Sequence, residues 1–117
     1  MRKNDDQFII QLRKGIFELV ILLLLRDGRK YGYEITQILK ENAFFQISTA
    51  SVYPVLNRLL EKKWVDSIWE EKENRMRRYY RLTELGISIM DKNFIQFKEL
   101  YNFLIYFKEK ETVTDDE

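Results

Sequence analysis

Hydrophobic positions along the chain recur at helical spacing three times, then alternate briefly, then return to helical spacing over a long final stretch. The first stretch, Phe8 to Arg26, carries Phe8, Leu12, Ile16 and Leu19 on one side and Ile9, Phe17, Val20 and Leu24 on others. A helix apolar nearly all round must be covered from several directions, as a central core helix or with help from a partner chain. Asp27 and Gly28 break it. Tyr31 to Glu41 then reads as a short second helix with Ile35, Ile38 and Leu39 inward, and Ala43 to Ile47 leads to a third.

The third helix, within ISTASVYPVLNRLLEKKW, residues 47–64, has Val52, Leu56, Leu59 and Leu60 at helical spacing, yet it holds the chain's only proline, Pro54. An interior proline removes a backbone donor and costs about 3 kcal/mol. If Ser51 caps the helix, Pro54 is its third residue and no intrahelical N–H bond is owed there. If Ser48 or Thr49 caps it, one bond is lost. In either case the proline marks the entry turn.

The period then changes. Trp64, Asp66 and Ile68 alternate with Val65, Ser67 and Trp69, which predicts a strand. Glu70 to Met76 is polar and turn-like, with Asn74 suited to a left-handed backbone, and Arg77 to Leu82 predicts the returning strand. Thr83 is a good N-cap with Glu84 in the first turn, and the chain is then helical to about Lys110. Ile87, Met90, Phe94, Phe97, Tyr101 and Leu104 repeat at spacings of 3, 4, 3, 4 and 3, an a/d seam for dimerisation. Leu100, Phe103, Ile105, Tyr106 and Phe107 add apolar surface beside it.

These elements predict a mainly α fold with a small β-hairpin: a winged helix-turn-helix followed by a long C-terminal dimerisation helix. Residues 1–82 form the DNA-binding domain with its N-terminal helix, 83–110 the dimerisation helix, and 111–117 an acidic, flexible tail.

Composition narrows the chemistry. With no cysteine and no histidine, disulfides, thiolate or imidazole metal sites and Cys- or His-based catalysis are excluded. The glycines at 15, 28, 32 and 86 are isolated and form no phosphate-binding loop, so neither catalysis nor a cofactor is expected. The longest apolar run, Leu19 to Leu25, is far short of a membrane span, and a cytoplasmic location is expected. Net charge is only +1, but residues 26–81 hold twelve Lys/Arg against eight Asp/Glu, whereas residues 82–117 hold four against eight. The middle of the chain suits a polyanion and the end does not.

Three blocks carry a resemblance: Tyr31-Gly32-Tyr33-Glu34-Ile35; Ser51-Val52-Tyr53-Pro54-Val55-Leu56 with Arg58-Leu59; and Arg78-Tyr79-Tyr80-Arg81-Leu82-Thr83-Glu84 with Gly86. In order and spacing they closely resemble the PadR family of bacterial transcriptional regulators, over about residues 12–86. The short chain with one C-terminal helix looks like the family's compact subgroup, which includes multidrug-responsive repressors. The resemblance implies a homodimer that binds an inverted-repeat operator in double-stranded DNA and is released by a small aromatic or hydrophobic effector or a stress signal. In some compact members flat aromatic compounds stack on a tryptophan of the last helix, within a pore at the dimer centre. Phe97 occupies that place here, with Phe94 one turn earlier; both tryptophans, Trp64 and Trp69, lie at the hairpin instead.

The DNA-binding candidates on the third helix are Thr49, Ser51, Tyr53, Pro54, Asn57 and Arg58. Short hydroxyls and amides near a helix N-terminus suit phosphate oxygens, and Asn57 suits a base edge. A structural role, Ser51 as cap and Tyr53 as packing, is compatible with contact. Lys30 and Tyr31 start the second helix, and Arg75, Arg77 and Arg78 form a basic cluster at the wing. Family wings usually carry glycines before this cluster; EKENRMR has none. The low net charge predicts moderate affinity that weakens steeply with salt. For an effector the candidates are Leu12, Ile16, Leu19, Phe94 and Phe97, the last two shared with the dimer seam. The alternative function is a winged-helix protein-interaction module that recruits a partner through its long last helix.

Overall fold

The computed structural model describes residues 6–45 and 47–112. Helix α1, Gln7–Leu24, starts where the Asp6 carboxylate accepts from the Phe8 and Ile9 amides at 3.0 and 3.4 Å. The chain turns at Gly28, whose φ of 143° is open to glycine and strained for other residues. Lys30–Tyr31 follow as a short strand, β1, and only then does α2 run, over Gly32–Lys40. The expectation of helix from Tyr31 is thus corrected. The two residues pair antiparallel with a distant strand, Lys30 with Tyr80 and Tyr31 with Tyr79. Glu34 reaches back to accept from the Tyr31 amide at 3.0 Å, which fixes the strand-to-helix corner.

Helix α3 spans Thr49–Glu61 with Ser48 as its N-cap residue. Pro54 is therefore the sixth helical residue, and the Ala50 carbonyl receives no amide from it. The Ser51 side chain does not cap the helix; its Oγ lies 3.2 Å from that of Ser48. The helix ends in a Schellman motif on Lys63, which takes a left-handed φ of 62°, while the Trp64 and Lys63 amides bond to the Leu59 and Leu60 carbonyls.

Strands β2, Val65–Lys72, and β3, Arg75–Leu82, form the wing, and the sheet order is β1-β3-β2. The connection is tighter than the polar run implies. Only Glu73 and Asn74 turn, with φ of 54° and 65°, the two left-handed residues of a type I′ hairpin. Thr83 caps α4, Glu84–Glu109, by accepting from the Gly86 amide at 3.0 Å. A Cβ at Gly86 would overlap the Trp64 carbonyl, so this first turn sits directly on the backbone that enters the wing.

The core lies between α1, α2, α3 and the base of the sheet. Ile21, Leu22, Ile35, Val52, Leu56 and Leu59 are fully buried, and Met90 of α4 closes the cluster at 3% exposure. Ile21 and Leu22 are the most deeply buried residues of α1. Met90 already lies in the core of its own chain, whereas Ile87, Phe94, Phe97, Tyr101 and Leu104 are exposed. Beyond α4, Glu111 and Thr112 carry no regular structure, and the tail residues 113–117 lie outside the described residues. Among the described residues no helix is long and apolar enough to cross a membrane.

Candidate nucleic-acid interface

Helix α3, the corner before α2 and the wing enclose an open cleft of about 480 Å³. Five of the predicted contact residues line it, Tyr31, Tyr53, Asn57, Arg77 and Arg78, together with Gly32, Tyr33, Trp69, Met76 and Tyr80. Gly32 makes room for Tyr53, because a Cβ there would overlap the Tyr53 ring. Helices α3 and α2 thereby pack through a tyrosine that still leaves its own edge exposed. Arg75 borders an adjoining hollow with Tyr31, Tyr33, Met76 and Arg77.

The hairpin register divides the basic cluster. Arg75 and Arg77 stand opposite Lys72 and Glu70 on one face; Arg78 stands opposite Trp69 on the other. On the first face cations and rings alternate. Arg77 lies 4.5 Å over the Tyr31 ring, Tyr31 meets Tyr79 edge-on at 5.5 Å, and Arg29 lies 4.4 Å over Tyr79. Arg29 in turn grips the Glu70 carboxylate with two bonds of 2.8 and 2.6 Å. This ladder ties the wing to the helical body and holds the Arg77 guanidinium in place. On the second face Arg78 donates to the Ser67 hydroxyl at 2.9 Å, with Tyr80 and Trp69 beneath it at 5.5 and 5.9 Å.

Other candidates stand elsewhere. Thr49, Ser51 and Pro54 are exposed on the first turns of α3, outside the cleft lining. Arg58 and Lys62 both point to Glu18 of α1, and Lys30 pairs with Asp27 at 2.7 Å. The hydrogen bond from Lys30, with its charge, holds the Asp27 carboxyl below the ordinary carboxylate range, as the Arg29 hydrogen bond does for Glu70. Burial pushes the Tyr80 hydroxyl above the usual tyrosine range. Sequence reasoning missed Arg29, whose partner lies 41 residues away. It also gave no contact role to Trp69, which reads as one position of an alternating strand, or to Met76, which falls in the run read as a turn; they are exposed at 61% and 60%.

A second hollow, about 490 Å³, runs between α1 and α4 and gathers Leu12, Ile16, Leu19 and Phe97 with Gly15, Glu18, Asn93, Gln96 and Leu100. Phe94, the other effector candidate, is not in its lining. Gly15 has nothing within 4 Å of the place its Cβ would take. Among the described residues no cluster of metal-ligating side chains occurs.

A helix-turn-helix flanked by a β-wing and extended by a long terminal helix is the architecture of winged helix transcription factors. The chain belongs to the PadR-like family of transcriptional regulators, whose sequence profile matches residues 21–92. It is 32% identical over 98 residues to an uncharacterized protein of Lysinibacillus sphaericus, covering 79% of this chain and 90% of that one. A PadR-like transcription factor from Bacteroides fragilis is 33% identical, with a TM-score of 0.72 over 87% of this chain and 99% of that one. A PadR family regulator from Eggerthella lenta superposes with a TM-score of 0.77 at 25% identity, covering 89% and 91% of the two chains.

Proposed function

We propose that the protein is a sequence-specific DNA-binding transcriptional regulator, a homodimeric repressor that leaves an inverted-repeat operator in response to a small hydrophobic ligand or a stress signal. The observation that carries this reading is the cleft in which Tyr53 and Asn57 of α3 face Tyr31, Arg77 and Arg78. A helix that presents an amide and a phenol beside a basic wing matches one element for the major groove and another for the backbone. Thr49, Ser51 and Pro54 form the leading edge of that helix, and Lys30 and Arg75 flank it. Arg58 joins the contact once it leaves Glu18. The division at residues 82 and 110 follows from the same assignment, as does a cytoplasmic location.

Dimerisation would use Ile87, Phe94, Phe97, Tyr101 and Leu104, whose apolar side chains are 38–55% exposed. Met90 contributes through the core it already fills. The ligand would enter between α1 and α4, against Leu12, Ile16, Leu19 and Phe97 with Phe94 nearby, in the manner of the multidrug-responsive relatives. Fluorescence anisotropy with duplex DNA from upstream of the protein's own gene tests the main reading. Salt-sensitive, sequence-preferring binding is expected. Arg77→Ala should weaken binding to every duplex, and Asn57→Ala should weaken it most on the preferred one. A stable complex with another protein, without any DNA footprint, would instead establish the interaction-module alternative.

A further inference from the structure

Arg58, in the last turn of α3, and Lys62, its C-cap residue in helical conformation, sit four residues apart, so their side chains project to one face. Two cations at that spacing repel each other and destabilise the helix unless an anion lies between them. Here the anion is internal. The Glu18 carboxylate of α1 meets Lys62 Nζ at 2.9 and 3.0 Å and Arg58 Nε at 3.3 Å, using both oxygens. The site remains wet at its cationic side, since the Arg58 and Lys62 side chains are 52% and 39% accessible against 27% for Glu18. An arginine and a lysine converging on two anionic oxygens, at the edge of an exposed helix face, is an arrangement that suits the two free oxygens of a phosphate diester.

We propose that Glu18 is a built-in stand-in for a DNA phosphate: it occupies the Arg58–Lys62 anion site in the free protein and is exchanged for a backbone phosphate on binding. The inference rests on the DNA-binding reading above. It makes Glu18 a positioning residue with two effects. It keeps both cations pre-ordered on α3, and it weakens binding to any duplex, because each phosphate contact must first displace a carboxylate. Sequence preference is untouched, since the exchange involves no base.

The test measures anisotropy with the full-length chain on its preferred duplex at several salt concentrations. Glu18→Gln keeps the shape and removes the charge. The comparison variant, Glu61→Gln, removes a charge from α3, the helix of Arg58, at a residue with no ion pair among the described residues. E18Q should bind about three- to tenfold more tightly, two exposed ion pairs having been released. Its plot of log affinity against log salt should steepen by about 0.9 for each cation freed. E61Q should gain less than about twofold and keep the wild-type slope. In an Arg58→Met, Lys62→Met background the E18Q gain should vanish. Unchanged or weaker binding by E18Q, an equal gain from E61Q, or a gain that survives without the two cations would overturn the proposal. If E18Q loses its helical circular dichroism, Glu18→Asp, one methylene shorter, reads the same exchange with a smaller gain. Wild-type protein that binds no DNA would bring down the regulator reading as well. Wild-type binding with no E18Q effect brings down only the role of Glu18.

Discussion

Replacing Tyr31 by leucine should uncouple the wing from the helical body without emptying the core. Tyr31 is a half-buried residue that touches two partners across the sheet, the Arg77 guanidinium 4.5 Å above its ring and the Tyr79 ring edge-on at 5.5 Å. A cation over an aromatic face at a partly exposed site contributes about 0.5–1 kcal/mol, and an edge-on ring pair about 0.5–1.5 kcal/mol beyond its area. Leucine retains most of the buried carbon and neither interaction, so the loss should be about 1–2.5 kcal/mol, read as a lower urea midpoint with an unchanged slope. Tyr31→Phe keeps both contacts and should fall within about 0.5 kcal/mol of wild type. DNA affinity separates the ladder from ordinary packing. With its ring gone, Arg77 must be ordered at the moment of contact, and binding should weaken about three- to tenfold in Tyr31→Leu but not in Tyr31→Phe. A double-mutant cycle with Arg77→Met isolates the pair. A coupling energy indistinguishable from zero, or equal losses for leucine and phenylalanine, would refute the reasoning.

Gly86→Ala should destabilise the fold by more than about 2 kcal/mol in thermal melts, because the added methyl meets the Trp64 backbone, which cannot swing aside as a side chain can. Lys63→Gly should stabilise by up to about 1 kcal/mol, since Lys63 holds a left-handed φ of 62° at the end of α3 that glycine adopts freely. Pro54→Ala returns an amide to the Ala50 carbonyl and should raise the melting temperature, with α3 gaining helicity by circular dichroism. On acidification, Glu70 and Asp27 have folded pKa values below their unfolded ones, so their stabilisation is full above the ordinary carboxylate range and is lost as pH falls through the depressed values. Glu70→Gln should therefore flatten the acid limb of the stability curve. Tyr80 has the opposite sign: its raised pKa favours the fold below the ordinary tyrosine value and withdraws that support at higher pH, so Tyr80→Phe should flatten the alkaline limb.

How far the sequence could be read depended on the range of the forces involved. The long helices were legible because periodicity over many residues averages out local noise, and Thr83 and Glu84 announced the start of α4 in the expected positions. The two-residue strand β1 was not legible, since it exists only by pairing with Tyr79 and Tyr80, far along the chain, and two residues have no period. The wing turn was overestimated for a related reason. Glu70, Lys72 and Arg75 are polar because the hairpin projects into solvent, yet they are paired strand residues, and only Glu73 and Asn74 bend. Three hydroxyls near the start of α3 made its cap ambiguous until Ser48 took the N-cap conformation. Met90 fits the α4 seam by spacing and the core by burial, and spacing alone cannot tell these apart.

The same distinction changes the meaning of the modest net charge. A protein of net charge +1 that binds DNA is ordinarily expected to hold moderate affinity with a steep salt response. The structure shows where the compensating charge sits: Asp27 beside Lys30, Glu18 beside Arg58 and Lys62, Glu73 beside Arg77, Glu70 beside Arg29 and Asp66 beside Arg81. Each of these carboxylates is attached to a cation, and three of those cations, Lys30, Arg58 and Arg77, belong to the proposed interface. A cation already held by a carboxylate has fewer mobile counterions to release and must break one contact to make another. In the proposed complex, phosphate binding at such residues is partner exchange, and its salt response should be shallower than the number of basic residues implies. Arg75 and Arg78, which have no ion pair among the described residues, would then supply most of the salt dependence, and the paired cations most of the geometry.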